Sequence, residues 1–324
     1  MSTVPSPRSA ELAPHARAAA DQAVTYARGA DAPNTRRAYA VDWRDWSTWC
    51  DNAGVVALPA APEAVGAYLA SMARTHALAT LRRRLAAISR AHRQAGQHLA
   101  TSHPAIRDTL RGIAREHGVP QRRAAAIGTA EIRRLVATCT DGLTGTRDRA
   151  LLLLGFAGAL RRSELVAVER EHLTFTPEGL RVRVPRSKGD PEGQGQELGI
   201  ARGQHRATCP VRAMEAWLEV SGCQFGPVFR AIDRWGGIES CALHPGAVRR
   251  ILLRRAEEAG IEGTALEPIA PHGLRAGFVT QAYQAGLRDE EIMEHSRHRD
   301  LKTMRRYVRR AKLMQESPTK RLGL

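Results

Sequence analysis

The apolar run LLLLGFAGAL at residues 151–160 constrains the fold more than any other feature of this sequence. A helix that is apolar on every face has to be surrounded by protein, so the run predicts a helix at the centre of a domain core. It is far shorter than the roughly 20 residues that a membrane-spanning helix needs. The N-terminal sequence MSTVPSPRSAELAP has no apolar segment of the kind that secretory signals use. We therefore expect a cytoplasmic protein with no membrane partner.

The cysteines agree with that location. The five cysteines form no CxxC pair, and their odd number provides no disulfide framework. We expect free thiols, in the core or at the surface, in a reducing compartment.

The chain is 324 residues long, about twice the usual domain length, which predicts two domains. The first twenty residues are rich in Ala, Pro and Ser, and the segment GVPQRRAAAIG shows no periodicity. These features predict a disordered tail over residues 1–20, a helical domain over 21–118, a linker over 119–128 and a second domain over 129–324.

The first domain is predicted to contain four helices. In the first of them Tyr39, Trp43, Trp46 and Cys50 recur at the spacing of one apolar helical stripe. Three tryptophans so close together also suggest stacking on nucleic-acid bases, but their helical spacing favours packing in a core. Further helices follow around residues 62–72, 78–93 and 104–117.

The second domain is predicted to be mostly helical with a small antiparallel sheet. From residue 180 the period changes to two, because Leu180, Val182 and Val184 alternate with Arg181 and Arg183. The loop KGDPEGQGQ and the segment ELGI complete a strand hairpin. Helices follow at about residues 211–221, 245–259, 272–285, 289–296 and 301–311. The fold class is therefore mainly α, with a mixed α/β second domain.

The charge of the chain is concentrated in two stretches. There are 49 Lys and Arg against 33 Asp and Glu, a net charge of +16. Residues 74–123 hold eleven arginines against two acidic residues, and residues 297–312 hold eight basic residues against one. Solvated helical faces usually interleave acidic residues with basic ones, so this pattern favours contact with a polyanion such as nucleic acid.

Three motifs contain charged residues at positions where a hydrophobic core does not require them. In LRRSEL, Arg161 and Arg162 follow the apolar helix, Ser163 is a candidate N-cap, and Glu164 can pair with an arginine. In PHGLRAGF, His272 and Arg275 are three residues apart and so share one face of a helix. In HRDLKTMRRYVRR, Tyr307 lies nine residues after His298 among four arginines. Taken singly, each motif is also compatible with a structural role.

Together and in this order, the motifs resemble those of the tyrosine recombinase, or phage integrase, family, and the four-helix unit resembles the SAM-like core-binding domain of that family. The likeness to Cre-like and Xer-like site-specific recombinases covers residues 21–312. It implies that the catalytic residues are Arg161, Lys188, His272, Arg275, His298 and Tyr307. Two positions need comment: Arg297 stands where the family usually has Gly, which tolerates backbone angles that Arg does not, and Arg162 stands beside Arg161. We assign Arg161, because it precedes x-S-E-L.

The resemblance implies a strand cleavage in which Tyr307 attacks a phosphodiester and forms a 3′-phosphotyrosyl bond. At pH 7 a tyrosine hydroxyl is ionised only about one part in a thousand, a deficit of about 4 kcal/mol, which we expect the surrounding cations to reduce. Arg161 and Arg275 would clamp the phosphate, and Lys188 would protonate the leaving oxygen. His272 would accept the tyrosine proton, and His298 would donate to the phosphate.

We expect no cofactor, because the sequence shows no Walker loop and no acidic cluster for magnesium. His295 and His298 suggest a zinc site, but further ligands at a suitable spacing are missing, so we expect no metal.

The expected partner is double-stranded DNA. The resemblance implies a homotetramer on DNA, with a dimer at each site, and a nucleoid-associated location. The candidate DNA contacts are Arg82, Arg83, Arg84, Arg90, Arg93, Arg122, Arg123, Arg305 and Arg306. Two other functions stay open: a type IB topoisomerase-like relaxase, and a catalytically idle DNA-binding protein. The sequence leaves open the DNA site and the choice between integration, excision and dimer resolution.

Overall fold

The computed structural model describes residues 14–29, 32–120, 122–185, 195–315 and 322. The chain divides into two compact units, Met1–Pro120 and Gln121–Leu324. The described residues are mostly helical and contain two small antiparallel sheets, which confirms the predicted fold class. None of the described helices is both long enough and apolar enough to cross a membrane.

The described part of the first unit is helical. Its helices are α1 (Pro14–Gly29), α2 (Pro33–Ala53), α3 (Pro62–Ser71), α4 (Leu78–Gln94) and α5 (Pro104–Glu116). Helices α2 to α5 lie where the sequence predicts four helices. Residues 14–20 belong to α1, so the expectation of disorder over residues 1–20 is wrong for that part. The segment HARAAADQA is rich in alanine, the residue with the highest helix propensity, and this explains the helix.

The core of the first unit is built on the stripe that the sequence identifies. Trp46 and Cys50 are fully buried and pack with Tyr68, Leu81 and Ile88. The ring of Trp46 stacks on Trp49 at a centroid distance of 5.7 Å, and its indole N–H donates to a backbone carbonyl. This burial confirms core packing for Trp46 and excludes it from stacking on bases.

The second unit surrounds the apolar run. Its described helices are α6 (Thr129–Ala137), α7 (Leu143–Ala157), α8 (Arg162–Val166), α9 (Pro210–Ser221), α10 (Pro245–Glu258), α11 (His272–Gln284), α12 (Asp289–Ser296) and α13 (Leu301–Gln315). Helix α7 carries the run, and its residues 150–154 are buried on all sides. The predicted central helix is therefore confirmed.

The predicted hairpin is part of a three-stranded antiparallel sheet. Strands β1 (Leu173–Phe175), β2 (Gly179–Val184) and β3 (Gln196–Ala201) pair in sequence order. In β2 the apolar side chains are buried and the two arginines are exposed, as the alternation predicts. A second pair, β4 (Arg230–Ile232) and β5 (Ile238–Ala242), has no counterpart in the prediction. Both strands are short, β4 is half buried and β5 is mostly exposed, so they carry little periodic signal.

Residues 123–127, which the sequence assigns to the linker, pack onto the second unit. The backbone N–H groups of Arg123, Ala125 and Ile127 donate to carbonyls within residues 266–273, and Ile127 is buried. Gly277 in α11 permits this close approach, because a Cβ there would lie 1.7 Å from the Ile127 carbonyl oxygen. The segment escaped prediction because its hydrogen-bond partners are distant in sequence.

Candidate active site

The turn between α7 and α8 presents a carbonyl and an arginine. Ala159 has a φ of 44°, in the left-handed region, and its carbonyl oxygen accepts hydrogen bonds from two arginines. Arg161 is the N-cap of α8 and Ser163 lies inside the helix, so the expected cap at Ser163 is wrong. The reason is Glu164, whose carboxylate accepts from the backbone N–H of Arg161 at 3.0 Å and from its Nη1 at 2.6 Å.

Arg275, on α11, is buried beside this turn. Its side chain is 1% exposed, its Nη1 donates to the Ala159 carbonyl at 2.7 Å, and its Nη2 lies 3.4 Å from His298 Nδ1. Burial, together with the charges of Arg161 and Arg297, lowers the pKa of Arg275 to about 9. The guanidinium remains charged at pH 7 but is held in an unfavourable electrostatic environment, as an anion-binding group would be before its anion arrives.

The turn between α12 and α13 places His298. Arg297 ends α12 in the left-handed conformation, with φ 58° and ψ 44°. The N–H of Arg297 donates to Glu294, and the N–H of His298 donates to Met293, which together form a Schellman motif. A glycine usually occupies the left-handed position of this motif, so the conformation that a family glycine would adopt is retained here by an arginine.

His298 lies between Ser296 and the catalytic-motif arginines. Its Nδ1 is 2.6 Å from Ser296 Oγ, and its ring centroid is 5.9 Å from that of Tyr307. Burial lowers the pKa of His298 to about 3, with further contributions from Arg275 and Arg161. The imidazole is therefore neutral at pH 7 in the free protein.

Tyr307, on α13, is hydrogen-bonded to His272 on α11. The distance between Tyr307 Oη and His272 Nε2 is 2.6 Å. His272 keeps access to solvent, but the protein atoms around its ring lower its pKa, as do the charges of Arg275 and Arg161. A neutral imidazole at hydrogen-bond distance from a hydroxyl is suited to accept its proton.

The surrounding cations lower the pKa of Tyr307, as the sequence predicts, but in the free protein burial has the larger effect. Burial raises the pKa, and this outweighs the opposing charges of Arg275, Arg161, Arg306 and Arg123. Of the arginines next to Tyr307 in the sequence, Arg305 pairs instead with Asp289, at 2.7 Å. Proximity in the sequence therefore overestimates how far the arginines lower the pKa of Tyr307. It takes no account of arginines that pair elsewhere or of the cost of burying a charged tyrosine.

A cleft of about 420 Å³ opens beside Tyr307. Its lining residues are Arg122, Arg123, Ala124, Pro268, Ala270, His272, Thr303, Arg306 and Tyr307. The three arginines are exposed, and three of the residues assigned to DNA contact therefore lie next to the candidate nucleophile. Lys188, the remaining predicted catalytic residue, lies outside the described residues.

Comparisons with known proteins identify the family to which the chain belongs. Residues 126–314 match the profile of the phage integrase family, a span that includes all six predicted catalytic positions. An integrase/recombinase of Selenomonas ruminantium, described as a xerD homolog, is 37% identical over 296 residues, which cover 90% of this chain and 86% of that relative. The chain belongs to the phage integrase family. It is a tyrosine recombinase.

Solved structures of other tyrosine recombinases share the fold. The Tn1549 transposon integrase in complex with transposon right-end DNA is 12% identical, has a TM-score of 0.62 and matches over 87% of this chain and 91% of its own. The lambda integrase tetramer bound to a Holliday junction is 15% identical, has a TM-score of 0.59 and matches over 92% of this chain and 78% of its own.

In the first unit of this tyrosine recombinase, the candidate DNA contacts divide by exposure. Arg84 is buried and pairs with Asp45, so its assignment to DNA contact is wrong. Arg83 is exposed, but both its Nε and Nη2 donate to Asp42, at 2.8 and 2.9 Å. Both acidic partners, Asp42 and Asp45, lie in α2. They are outside the basic stretch 74–123, so the net charge of that stretch does not include them. Arg82 and Arg93 are exposed, and Arg90 is half buried against the ring of Tyr39.

The residues considered for metal binding have other partners. The Nε2 of His295 donates to the Ala157 carbonyl at 2.7 Å, and its ring stacks on Phe278. No group of three or more His, Cys, Asp or Glu among the described residues is arranged to hold a metal ion. All five cysteines are free thiols, and Cys241 is the exposed one.

Sequence reasoning missed two contributors to the site. Arg297 was noted as a departure from the family pattern but given no role, although its guanidinium lies against Glu164 and the Ala159 carbonyl. Ser296 contacts His298 and was not singled out. For Arg297, the sequence did contain a signal, because an arginine stands where the family usually has glycine. For Ser296 it contained none, because a single serine near a histidine is not distinctive.

Proposed function

We propose that this tyrosine recombinase is a site-specific enzyme that cleaves and rejoins duplex DNA through a 3′-phosphotyrosyl intermediate. The observation that carries the proposal is the 2.6 Å hydrogen bond between Tyr307 Oη and His272 Nε2. It lies beside Arg161 and Arg275, two guanidiniums that have Glu164 as a shared nearby carboxylate. A nucleophile, a base and cations with incomplete counter-charges are the groups that attack on a phosphodiester requires.

In the cleavage step, the oxygen of Tyr307 attacks phosphorus and its proton passes to His272. The P–O bond to the 5′ oxygen breaks, and that oxygen takes up a proton and leaves as a hydroxyl. Negative charge that develops on the non-bridging oxygens is stabilised by Arg161 and Arg275, each charge-assisted hydrogen bond contributing about 1.5 to 3 kcal/mol. Reversal of the same steps with another 5′ hydroxyl rejoins the strand, so neither ATP nor a metal is needed.

Lys188 is the proposed general acid for the leaving oxygen, an assignment that rests on the family motif. His298 is the proposed second donor to the phosphate. Ser296 Oγ donates its proton to the Ile292 carbonyl, so Nδ1 of His298, 2.6 Å from that oxygen, carries the proton of the neutral ring. Nε2 would then donate to the phosphate once the imidazole is protonated. A bound phosphate also opposes the arginine charges that lower the pKa of His298, so it would favour donation.

The DNA backbone is proposed to follow the cleft beside Tyr307. Arg122, Arg123 and Arg306 line that cleft and would contact phosphates. In the first unit, Arg82 and Arg93 are the exposed candidates. The two units would bind the same duplex, through basic surfaces on each.

The active assembly is proposed to be a homotetramer on two DNA sites, with a dimer at each site, acting at the nucleoid on a mobile element or chromosome. The structural neighbours support this proposal, since lambda integrase forms a tetramer on a Holliday junction. The rivals are a relaxase, which would act as a monomer without site preference, and an idle DNA-binding protein.

The test is a suicide DNA substrate, in which the cleaved end diffuses away and traps the covalent intermediate. The wild-type protein is expected to form a covalent protein–DNA adduct and Tyr307→Phe to form none. Tyr283→Phe is the matched control, because it removes a hydroxyl from a half-buried tyrosine packed in the same cluster. An adduct that persists in Tyr307→Phe would overturn the assignment. Site-specific binding without any adduct would favour the idle protein, and relaxation of plain plasmid by a monomer would favour the relaxase.

A further inference from the structure

Arg297 occupies a backbone position that disfavours it. The residue has φ 58° at the end of α12, where a Cβ crowds the following carbonyl and a glycine is free of that penalty. Its side chain is only 3% exposed, so the conformation is not explained by a surface position. The contacts of the guanidinium therefore have to offset both the conformation and the burial.

The Arg297 guanidinium contacts the same acceptor groups that hold Arg161 and Arg275, two arginines of the catalytic motifs. Nη2 of Arg297 donates to the Ala159 carbonyl at 3.1 Å, the same oxygen that accepts from Arg275. Nη2 also lies 3.2 Å from Oε2 of Glu164, whose other oxygen, Oε1, binds Arg161. One buried guanidinium therefore contacts the acceptors that hold Arg161 and Arg275.

We propose that Arg297 is a positioning residue that fixes Arg161 and Arg275 in the geometry that clamps the scissile phosphate. The proposal rests on the recombinase function and goes beyond it by assigning a role to a residue that does not touch the substrate. Arg297 acts through Glu164 for one arginine and through the Ala159 carbonyl for the other.

Packing alone does not account for Arg297. Its Nε is buried and has no hydrogen-bond partner among the described residues. Its charge also opposes that of Arg275, whose pKa it helps to lower. A glycine would satisfy the turn without either penalty. The Arg297 charge stabilises the buried Glu164 carboxylate, and its guanidinium also donates to the His295 and Gly158 carbonyls. It further holds Glu164 and the Ala159 carbonyl from a second side, which a glycine could not do.

The proposal predicts a loss in the rate of cleavage rather than in DNA binding. Without Arg297, Glu164 keeps its two bonds from Arg161 and the Ala159 carbonyl keeps its bond from Arg275, but each acceptor loses its second donor and becomes less rigid. A displacement of catalytic groups on the order of 1 Å lowers the rate by about a hundredfold. DNA affinity depends on many phosphate contacts and is expected to change less than about threefold.

The experiment compares Arg297→Gly with Arg288→Gly by single-turnover cleavage of a saturating suicide duplex. Arg288 is the matched control, because it lies at the opposite end of α12 with its side chain 75% exposed. Each protein is tested on a normal scissile phosphodiester and on a neutral methylphosphonate at the same bond. Arg297→Gly is expected to slow cleavage of the diester by about a hundredfold and of the methylphosphonate by less than about tenfold, because the neutral linkage depends less on the arginine clamp.

Equal losses on the two substrates would show a merely structural role and would overturn the proposal, as would a wild-type rate on the diester. Arg297→Lys is a second variant in case Arg297→Gly does not fold. It keeps the charge but lacks the planar fork of donors, and it is expected to show the same substrate dependence with a smaller loss. The wild-type adduct separates the two hypotheses. If the wild-type protein forms none, the recombinase function fails, whereas an unaffected Arg297→Gly removes only the positioning role.

Discussion

Each unit of this tyrosine recombinase buries an arginine next to a tyrosine, and the two clusters differ in their counter-charges. In the first unit, Arg84 contacts Asp45 and the Tyr68 hydroxyl, and Tyr68 donates to Asp45 at 2.6 Å. In the second unit, Tyr307 shares a hydrogen bond with His272, and the charges of Arg275 and Arg161 act on the tyrosine.

The two clusters contain the same residue types but differ in how many carboxylates balance their arginines, and this difference distinguishes the structural cluster from the functional one. In the first cluster, carboxylates of α2 neutralise the arginines, and no anion is needed to complete it. In the second, Glu164 is the carboxylate that the described residues supply to the arginines of the site, by ion pairs with Arg161 and Arg297. One carboxylate does not balance the positive charge of these arginines. A phosphate bound in the adjacent cleft would supply the missing negative charge.

Burial raises the pKa of both tyrosines, but the hydrogen-bond partners differ. Tyr68 is closed off and hydrogen-bonded to an aspartate, which raises its pKa further. Tyr307 is hydrogen-bonded to a neutral histidine that can take its proton. The difference shows that a cluster of arginines does not by itself activate a tyrosine; a base within reach is also required.

The largest expected effect comes from removing the least compensated arginine. Arg275→Met is expected to lower the single-turnover rate of adduct formation by a factor on the order of 10² to 10³, because the developing phosphate charge loses a fixed donor. The unfolding free energy is expected to change by less than about 1 kcal/mol, since the loss of one hydrogen bond is offset by reduced repulsion from Arg161 and Arg297. Urea unfolding measures the second quantity. A large loss of stability with normal cleavage would erase the contrast between the clusters.

The same substitution in the neutralised cluster is expected to act in the opposite way. Arg84→Met leaves the Tyr68 hydroxyl and nearby carboxylates without their cation, so the unfolding free energy of the first unit is expected to fall by about 2 to 3 kcal/mol. The cleavage rate of the folded protein on saturating substrate is expected to stay within about twofold of wild type. If Arg84→Met instead abolished cleavage while stability held, Arg84 would have to be returned to the DNA contacts.

The smallest expected effect is a shift in histidine titration. In the free protein, NMR titration should give His272 a pKa below the ordinary value of about 6.5 and His298 a pKa of about 3. Protonation of His272 removes the base, so cleavage of bound DNA should decline as the pH falls through the pKa of His272 in the complex. A bound phosphodiester should raise both pKa values, because its charge opposes the arginines. Values at or above 6.5 in the free protein would contradict the proposed electrostatics.

Local sequence patterns predicted most of the fold. Helical periodicity located α2 to α5, and alternation located β2 and β3, because both depend on side chains close in sequence. The predictions failed where the partners are remote. The segment that ends at Ile127 is held by residues 266–273, so nothing in its own sequence distinguished it from a linker.

The candidate site shows the same division. Five of the six catalytic-motif residues lie among the described residues, and the structure brings them together around Tyr307, while Lys188 stays a prediction. The contact arginines were less predictable, because exposure depends on partners from other helices. Asp42 and Asp45 hold Arg83 and Arg84, although they are about forty positions away in the sequence.

The sequence by itself therefore determined the helices, the hairpin, the concentration of positive charge and the identity of the catalytic motifs, since these depend on residue type and short-range spacing. The tertiary structure decided which of those charges are neutralised. It paired Arg84 within a core, left Arg275 with too few counter-charges, and placed Arg297 behind the site in a backbone conformation usual for glycine. The physical reason is that electrostatic energy depends on distance and burial, which a linear count of charges does not contain.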